Sequence, residues 1–164
     1  MKTTLGCLLI LLGQLVVGCT GYDEGTRSLE ALDVDAYARF VQPYVGIRCA
    51  SLDCHGDTAR PLRIYAEDGL RLRHELRGEE LSLEEHEINV QMFLGTAPDQ
   101  SLDESWLLLK PLSPRAGGVS HEGRTVWDSR ADAGYTCLAD WLSAVPGQDL
   151  EDPCAEALAP WLPD

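Results

Sequence analysis

The chain has 164 residues, 45% of them hydrophobic, which is enough for one small domain with its own core and not for two. The formal net charge is −14, and Lys2 is the only charged side chain among the first eighteen residues, so 12 of the 13 basic and all 27 acidic side chains lie from Cys19 onward. That sign excludes nucleic acid and an anionic lipid surface as electrostatic partners; it reads as a solvated acidic surface that favours solubility, with a basic protein partner as the functional alternative.

Residues 1–18 read as a targeting segment. Lys2 gives a short positive region, and an apolar run follows from Leu5 to Val17. Gly6, Gly13 and Gln14 interrupt it, and it is too short for a comfortable membrane span. It ends in Val16-Val17-Gly18-Cys19, which resembles the lipobox of bacterial lipoproteins. The resemblance implies that Cys19 becomes an acylated N-terminus. The chain would then be exported and held by lipid to the cell envelope, at the outer membrane or a periplasmic face. The other reading of the same segment is an ordinary secretory signal. Both place the domain outside the cytoplasm, where disulfides are permitted. Residues 19–32, polar and carrying Gly21 and Gly25, read as a flexible tether.

Asp33-Val34-Asp35 predicts a helix start, and Tyr37, Phe40, Val41, Tyr44 and Val45 continue it at helical spacing. Pro43 should break or restart that helix. The stretch leads into Cys49-Ala-Ser-Leu-Asp-Cys54-His55-Gly56. Two thiols followed at once by an imidazole are what covalent haem attachment requires: two thioether bonds to the porphyrin, and a side chain that reaches the iron. The usual spacing is C-x-x-C-H. Here two more residues separate the cysteines, so the gap must bulge away from helical geometry.

Residues 57–78 are rich in arginine, with Gly69 marking a turn between Leu62-Arg63-Ile64-Tyr65 and Leu70-Arg71-Leu72. Arg60 and Arg63, nearest the cysteine motif, are candidate partners for haem propionates. The competing assignment for each arginine is surface pairing with Glu67, Asp68, Glu79 or Glu80. Ser82 to Phe93 is the clearest helix, opened by a Ser82–Glu85 capping box, with Leu81, Ile88, Met92 and Phe93 on its apolar side. Ser101 and Glu104 fit a second capping box for a shorter helix from Leu102 to about Lys110, which Pro111 ends. Residues 111–132 form a long loop with Gly117-Gly118 and His121. Tyr135, Leu138, Trp141, Leu142 and Val145 outline a last amphipathic helix ended by Pro146-Gly147, and residues 148–164 read as a tail.

The chain has six cysteines. Cys7 leaves with the signal, Cys19 is the lipidation candidate, and Cys49 and Cys54 are the haem candidates. Cys137 and Cys154 are left to pair as a disulfide that pins the tail. A rival assignment pairs Cys49 with Cys54 as well, and cysteine parity does not separate the two. If His55 ligates iron from below, the other face draws on Met92, His74, His86 or His121. His121, on its glycine-rich loop, is the preferred distal ligand.

Val41-Gln42-Pro43, Arg48-Cys49…Cys54-His55-Gly56, Leu62-Arg63-Ile64-Tyr65, Leu107 to Leu112, Gly117-Gly118, His121 and Tyr135…Trp141-Leu142 together resemble cytochrome-c-like domains of myxobacterial and planctomycete lipoproteins. The resemblance covers roughly residues 35 to 145; the C-x4-C-H spacing is its departure. It implies a mainly α, small class I cytochrome-c-like domain with long loops over residues 33–147. It also implies a covalent haem c and a monohaem electron-transfer role with a redox partner protein. The alternative is a haem-free, disulfide-stapled surface lipoprotein acting as a binding module. A third reading places zinc between Cys49, Cys54, His55 and His121. The chain has no nucleophilic serine elbow, phosphate loop or HExxH helix, so a carrier is expected rather than a catalyst.

Overall fold

The computed structural model describes residues 32–96, 101–145 and 147–163. The targeting segment with Cys19, and nearly all of the tether, lie outside that range. Among the described residues the regular elements are helices, accompanied by two isolated β-bridges, Tyr65 to Leu70 and Leu112 to Trp127. The domain is mainly α with long loops, as the sequence predicts. No described helix is long and apolar enough to cross a membrane.

The first helical run has three parts: α1 (Val34–Ala36), a π-helical turn Tyr37–Val41, and α2 (Gln42–Arg48). Asp33 caps it by accepting from the Ala36 amide at 2.8 Å. Pro43 explains the wide turn. It has no amide hydrogen, and its ring would strike the carbonyl four residues back, so the chain closes i→i−5 instead, with the Gln42 amide on the Tyr37 carbonyl. Pro43 then occupies the first turn of α2, where a missing donor costs nothing. The helix is thus widened at Pro43 without losing its direction, and Tyr37, Val41, Tyr44 and Val45 all remain buried.

α3 (Leu83–Gly95) opens with the expected reciprocal Ser82–Glu85 capping box. Its buried face differs from the predicted one. Glu85, Asn89, Val90 and Phe93 are buried, while Leu81, Ile88 and Met92 are only half-buried. Two polar side chains take the inner face because each is satisfied there. The Asn89 amide donates to Gln42 Oε1 at 2.8 Å and its Oδ1 accepts from the Tyr65 amide at 2.8 Å. Tyr37 Oη adds a 2.7 Å bond to the same Gln42 oxygen. This network ties α2, α3 and residues 62–66 into one unit.

The second predicted capping box does not form. Residues Leu102–Glu104 make a 3-10 turn, the chain resets at Ser105, and α4 (Trp106–Leu109) begins afresh. Ser101 Oγ reaches the Glu104 carboxylate at 3.3 Å rather than a backbone amide.

α5 (Ala133–Ser143) is capped by Asp132 and stops where Ala144 turns left-handed at φ 52. It meets the first helical run through Gly134. A Cβ there would lie 2.0 Å from Tyr44 Oη and 2.5 Å from Trp127 Nε1. The glycine leaves room for the buried hydrogen bond from Trp127 Nε1 to Tyr44 Oη, 2.8 Å long. Further along the contact, Trp141 packs on Tyr37 with ring centroids 5.1 Å apart and on Phe93 at 6.1 Å.

The segment predicted as a tail folds as α6 (Glu151–Leu158), joined to α5 by the expected Cys137–Cys154 disulfide. Leu150, Cys154 and Ala157 enter the core, so the folded unit extends past residue 147. Replacing both cysteines by alanine is expected to lower stability by about 3 kcal/mol, the value for a closed loop of this order. Chemical denaturation of the oxidised and variant proteins would measure it.

Candidate functional site

The site is built by two loops that carry one histidine each. The first leaves the C-terminus of α2. Cys49 and Ala50 amides both return to the Val45 carbonyl, and the chain then coils into successive turns instead of a helix. The Cys54 and Gly56 amides reach the Ser51 carbonyl at 2.9 Å each, and the His55 amide reaches the Cys49 carbonyl at 2.9 Å. This is the bulge that the longer cysteine gap requires. Gly56 closes it, since a Cβ at that position would lie 2.1 Å from the Ala50 carbonyl oxygen.

Cys49 and Cys54 are both half-buried and not bonded to each other. The expected Cys137–Cys154 bridge is therefore formed without the second disulfide of the rival assignment. Burial pushes the Cys49 thiol up to about 12, outweighing the nearby Arg48 charge. Among the described residues, no group of three or more His, Cys, Asp or Glu side chains is gathered to hold a metal ion.

The second loop follows α4. Val119 donates to the Leu109 carbonyl, and Lys110 Nζ donates to the Ser120 carbonyl, both at 3.0 Å. Gly118 presses so close that a Cβ would stand 1.9 Å from the Leu112 carbonyl oxygen. Gly117 takes φ 91 to make the approach. The lysine, the two glycines and His121, separate in the sequence, thus act together to fix where His121 stands.

The two histidines come together. Their rings are parallel to within 10°, with centroids 6.0 Å apart. His55 Nδ1 lies 3.0 Å from the Leu62 carbonyl. His121 Nδ1 lies 3.1 Å from the Arg124 carbonyl. A carbonyl only accepts, so each Nδ1 carries a proton. Burial lowers the His55 pKa, partly opposed by the Leu62 carbonyl and reinforced by His121 and Arg60, so its ring is neutral at neutral pH. Arg124 adopts φ 78, a left-handed conformation uncommon for a residue with a side chain, which closes the turn around His121.

The parallel pair also falls within the distance range of an offset aromatic contact. Its distinguishing feature is that both Nδ1 atoms are occupied by backbone carbonyls, the arrangement that fixes the tautomer of a metal-bound imidazole.

Arg60 lies at this site. It donates to the Asp53 carbonyl at 3.2 Å and stands 3.8 Å from Glu122, beside His121. Arg63 is exposed and donates to the Arg60 carbonyl at 3.3 Å. The other ligand candidates lie elsewhere. His74 is exposed beside Glu75, 3.4 Å away. His86, expected to be solvated, is half-buried instead, and its ring meets Tyr37 edge-on at 6.2 Å. Met92 lines a hollow of about 390 Å³ with Pro61 and Leu62. Sequence reasoning missed the carbonyls of Leu62 and Arg124, because backbone partners leave no compositional trace.

Comparison with protein-family models, curated proteins and solved structures found no match to this chain.

Proposed function

We propose that the protein is an exported, lipid-anchored monohaem c-type electron carrier. Cys49 and Cys54 would hold the porphyrin through thioethers, His55 and His121 would be its iron ligands, and Cys19 would be the lipid anchor. The observation that carries this reading is the parallel His55–His121 pair, each ring oriented through Nδ1, beside two unbonded thiols in a C-x4-C-H motif. Haem iron supplies a one-electron couple when bound. The chain's own residues hold each ring through Nδ1, and burial keeps the His55 ring neutral. Arg60 places a guanidinium beside the pair, as a propionate partner would be placed. Two nitrogen ligands give a lower potential than a histidine–methionine pair.

Production of the full chain with a haem-attachment machinery is expected to give a mature protein whose mass includes one haem and the acyl groups. Its reduced pyridine spectrum should be that of a c-type haem. A product without haem, in which Cys49 and Cys54 both react with an alkylating agent after unfolding, would leave the binding-module alternative. That alternative draws support from the Cys137–Cys154 staple but assigns no role to the paired imidazoles.

A further inference from the structure

A second feature borders the Cys49–Cys54 loop. A groove of about 710 Å³ runs between α2, the loop after Cys49, the turn at residues 66–69 and the end of α6. Its apolar lining includes Ile47, Leu52, Leu158 and Leu162. Ile47, Leu52 and Leu162 are 47%, 50% and 56% exposed, which is a large apolar outlay for one small region of a soluble surface. Its rim carries Glu67, Asp68 and Glu80, all exposed, and no lysine or arginine lines it. Of the nearest arginines, Arg77 donates to the carbonyl of Gly69 at the groove's edge and sets one positive charge against three carboxylates, Arg48 lies 4.0 Å over the Trp161 ring, and Arg71 is buried on Glu85.

The geometry points to a docking groove for a segment of another protein that presents apolar side chains flanked by lysine or arginine. Charge selects that occupant. A second copy of this chain carries the same net −14. The chain's own residues 20–31 contain Asp23, Glu24 and Glu30 against Arg27 alone, so they too would set like charge against the rim. An anionic lipid surface is repelled for the same reason. Lysines or arginines meeting the three carboxylates would fix the register, while apolar side chains in the groove would supply the affinity. The groove shares Ala50, Ser51 and Leu52 with the cysteine loop, so its occupant would sit against the candidate redox site. The groove itself does not depend on whether haem is attached.

The test uses the full chain and three synthetic probe peptides of one length, read by fluorescence anisotropy: an amphipathic Leu/Lys helix, a Leu/Glu helix and a Ser/Lys peptide. The Leu/Lys probe is expected to bind at least about tenfold more tightly than either of the others. Reversing Glu67, Asp68 and Glu80 to lysine should weaken it about tenfold or more. Reversing Asp128, Glu104 and Glu156, an equal change in net charge, should leave most of the binding. Leu52→Asp with Leu162→Asp, both at exposed positions, should also weaken it. Equal losses from the two charge reversals, or equal binding of the Ser/Lys probe, would reduce the effect to bulk charge and overturn the proposal, as would no binding of the Leu/Lys probe. Running the series on haem-free and haem-loaded protein separates this outcome from the fate of the electron-carrier reading.

Discussion

Replacing Arg71 with methionine is expected to destabilise the fold by about 3–5 kcal/mol, the usual cost of stranding one partner of a buried ion pair. The side chains of Arg71 and Glu85 are each about 1% exposed. They meet bidentately, Nε to Oε1 and Nη2 to Oε2, both at 2.9 Å. The guanidinium also donates to the carbonyls of Leu76, Glu79 and Glu80. Glu85 accepts from the Leu72 and Ser82 amides and from Ser82 Oγ. With Arg71 gone, a buried carboxylate keeps only its neutral donors, and the loop from residue 70 to 80 loses its anchor on α3. Urea unfolding of Arg71→Met, Glu85→Leu and the double variant would measure this. The double variant should recover part of the loss, because removing both charges leaves neither stranded.

The same pair gives the fold an acid limit. Burial alone would raise the Glu85 pKa, but the bonds from Arg71, Ser82 and Leu72 outweigh it and hold the carboxyl down to about 2. An unfolded glutamate titrates near 4.3, so the difference is worth about 3 kcal/mol. Since the folded value is the lower one, this stability is fully present above about pH 4.3 and disappears as the pH falls toward 2. Glu85→Gln should be less stable than the parent at neutral pH and show a shallower loss across that window. Parallel pH–stability curves for the two proteins would sink the assignment.

The sequence made these features legible to different degrees, for physical reasons. Local chemistry was readable: the Ser82 cap, the bulged cysteine gap and the pairing of Cys137 with Cys154 each depend on neighbours in the chain or on cysteine parity. Long-range choices were not. Nothing near Gly134 says that Tyr44 and Trp127 will fill the space where its side chain would be. Arg71 was legible only as one of many arginines, although its place between Leu70 and Leu72 in a short apolar piece was a burial signal. The helix at the C-terminal end carries acidic residues in its first turn, Glu151 and Asp152, but no capping side chain at Leu150 and a proline at its third position, so its start is weakly marked. For Ser101 and Glu104 the residue types of a cap were present, but the chain turned as a 3-10 helix and reset at buried Ser105. His121 was singled out by its loop; that its ring would lie parallel to His55 depended on Lys110, Gly118 and Arg124, which only the fold assembles.

His55→Ala and His121→Ala should separate the two faces of the candidate iron site in the haem-loaded protein. His55 is part of the attachment motif and is held by the Leu62 carbonyl, so its loss should cut the yield of loaded protein severely and abolish the low-spin spectrum. His121 touches neither cysteine loop bond, so its loss should leave haem covalently attached. The spectrum should change to that of an iron with one protein ligand, and the reduction potential should shift. Gly123→Ala offers a gentler version. A Cβ there would stand 2.9 Å from His121 Cε1 and 3.4 Å from both ring nitrogens, so the ring must be displaced without being removed. A weakened or heterogeneous ligand spectrum is expected, intermediate between parent and His121→Ala. A pair of parallel imidazoles that merely stack would respond otherwise: His121→Ala would change stability slightly and leave the visible spectrum and potential of the loaded protein where they were. That result would remove His121 from the iron and return the choice of sixth ligand to Met92, on α3 beside Leu62.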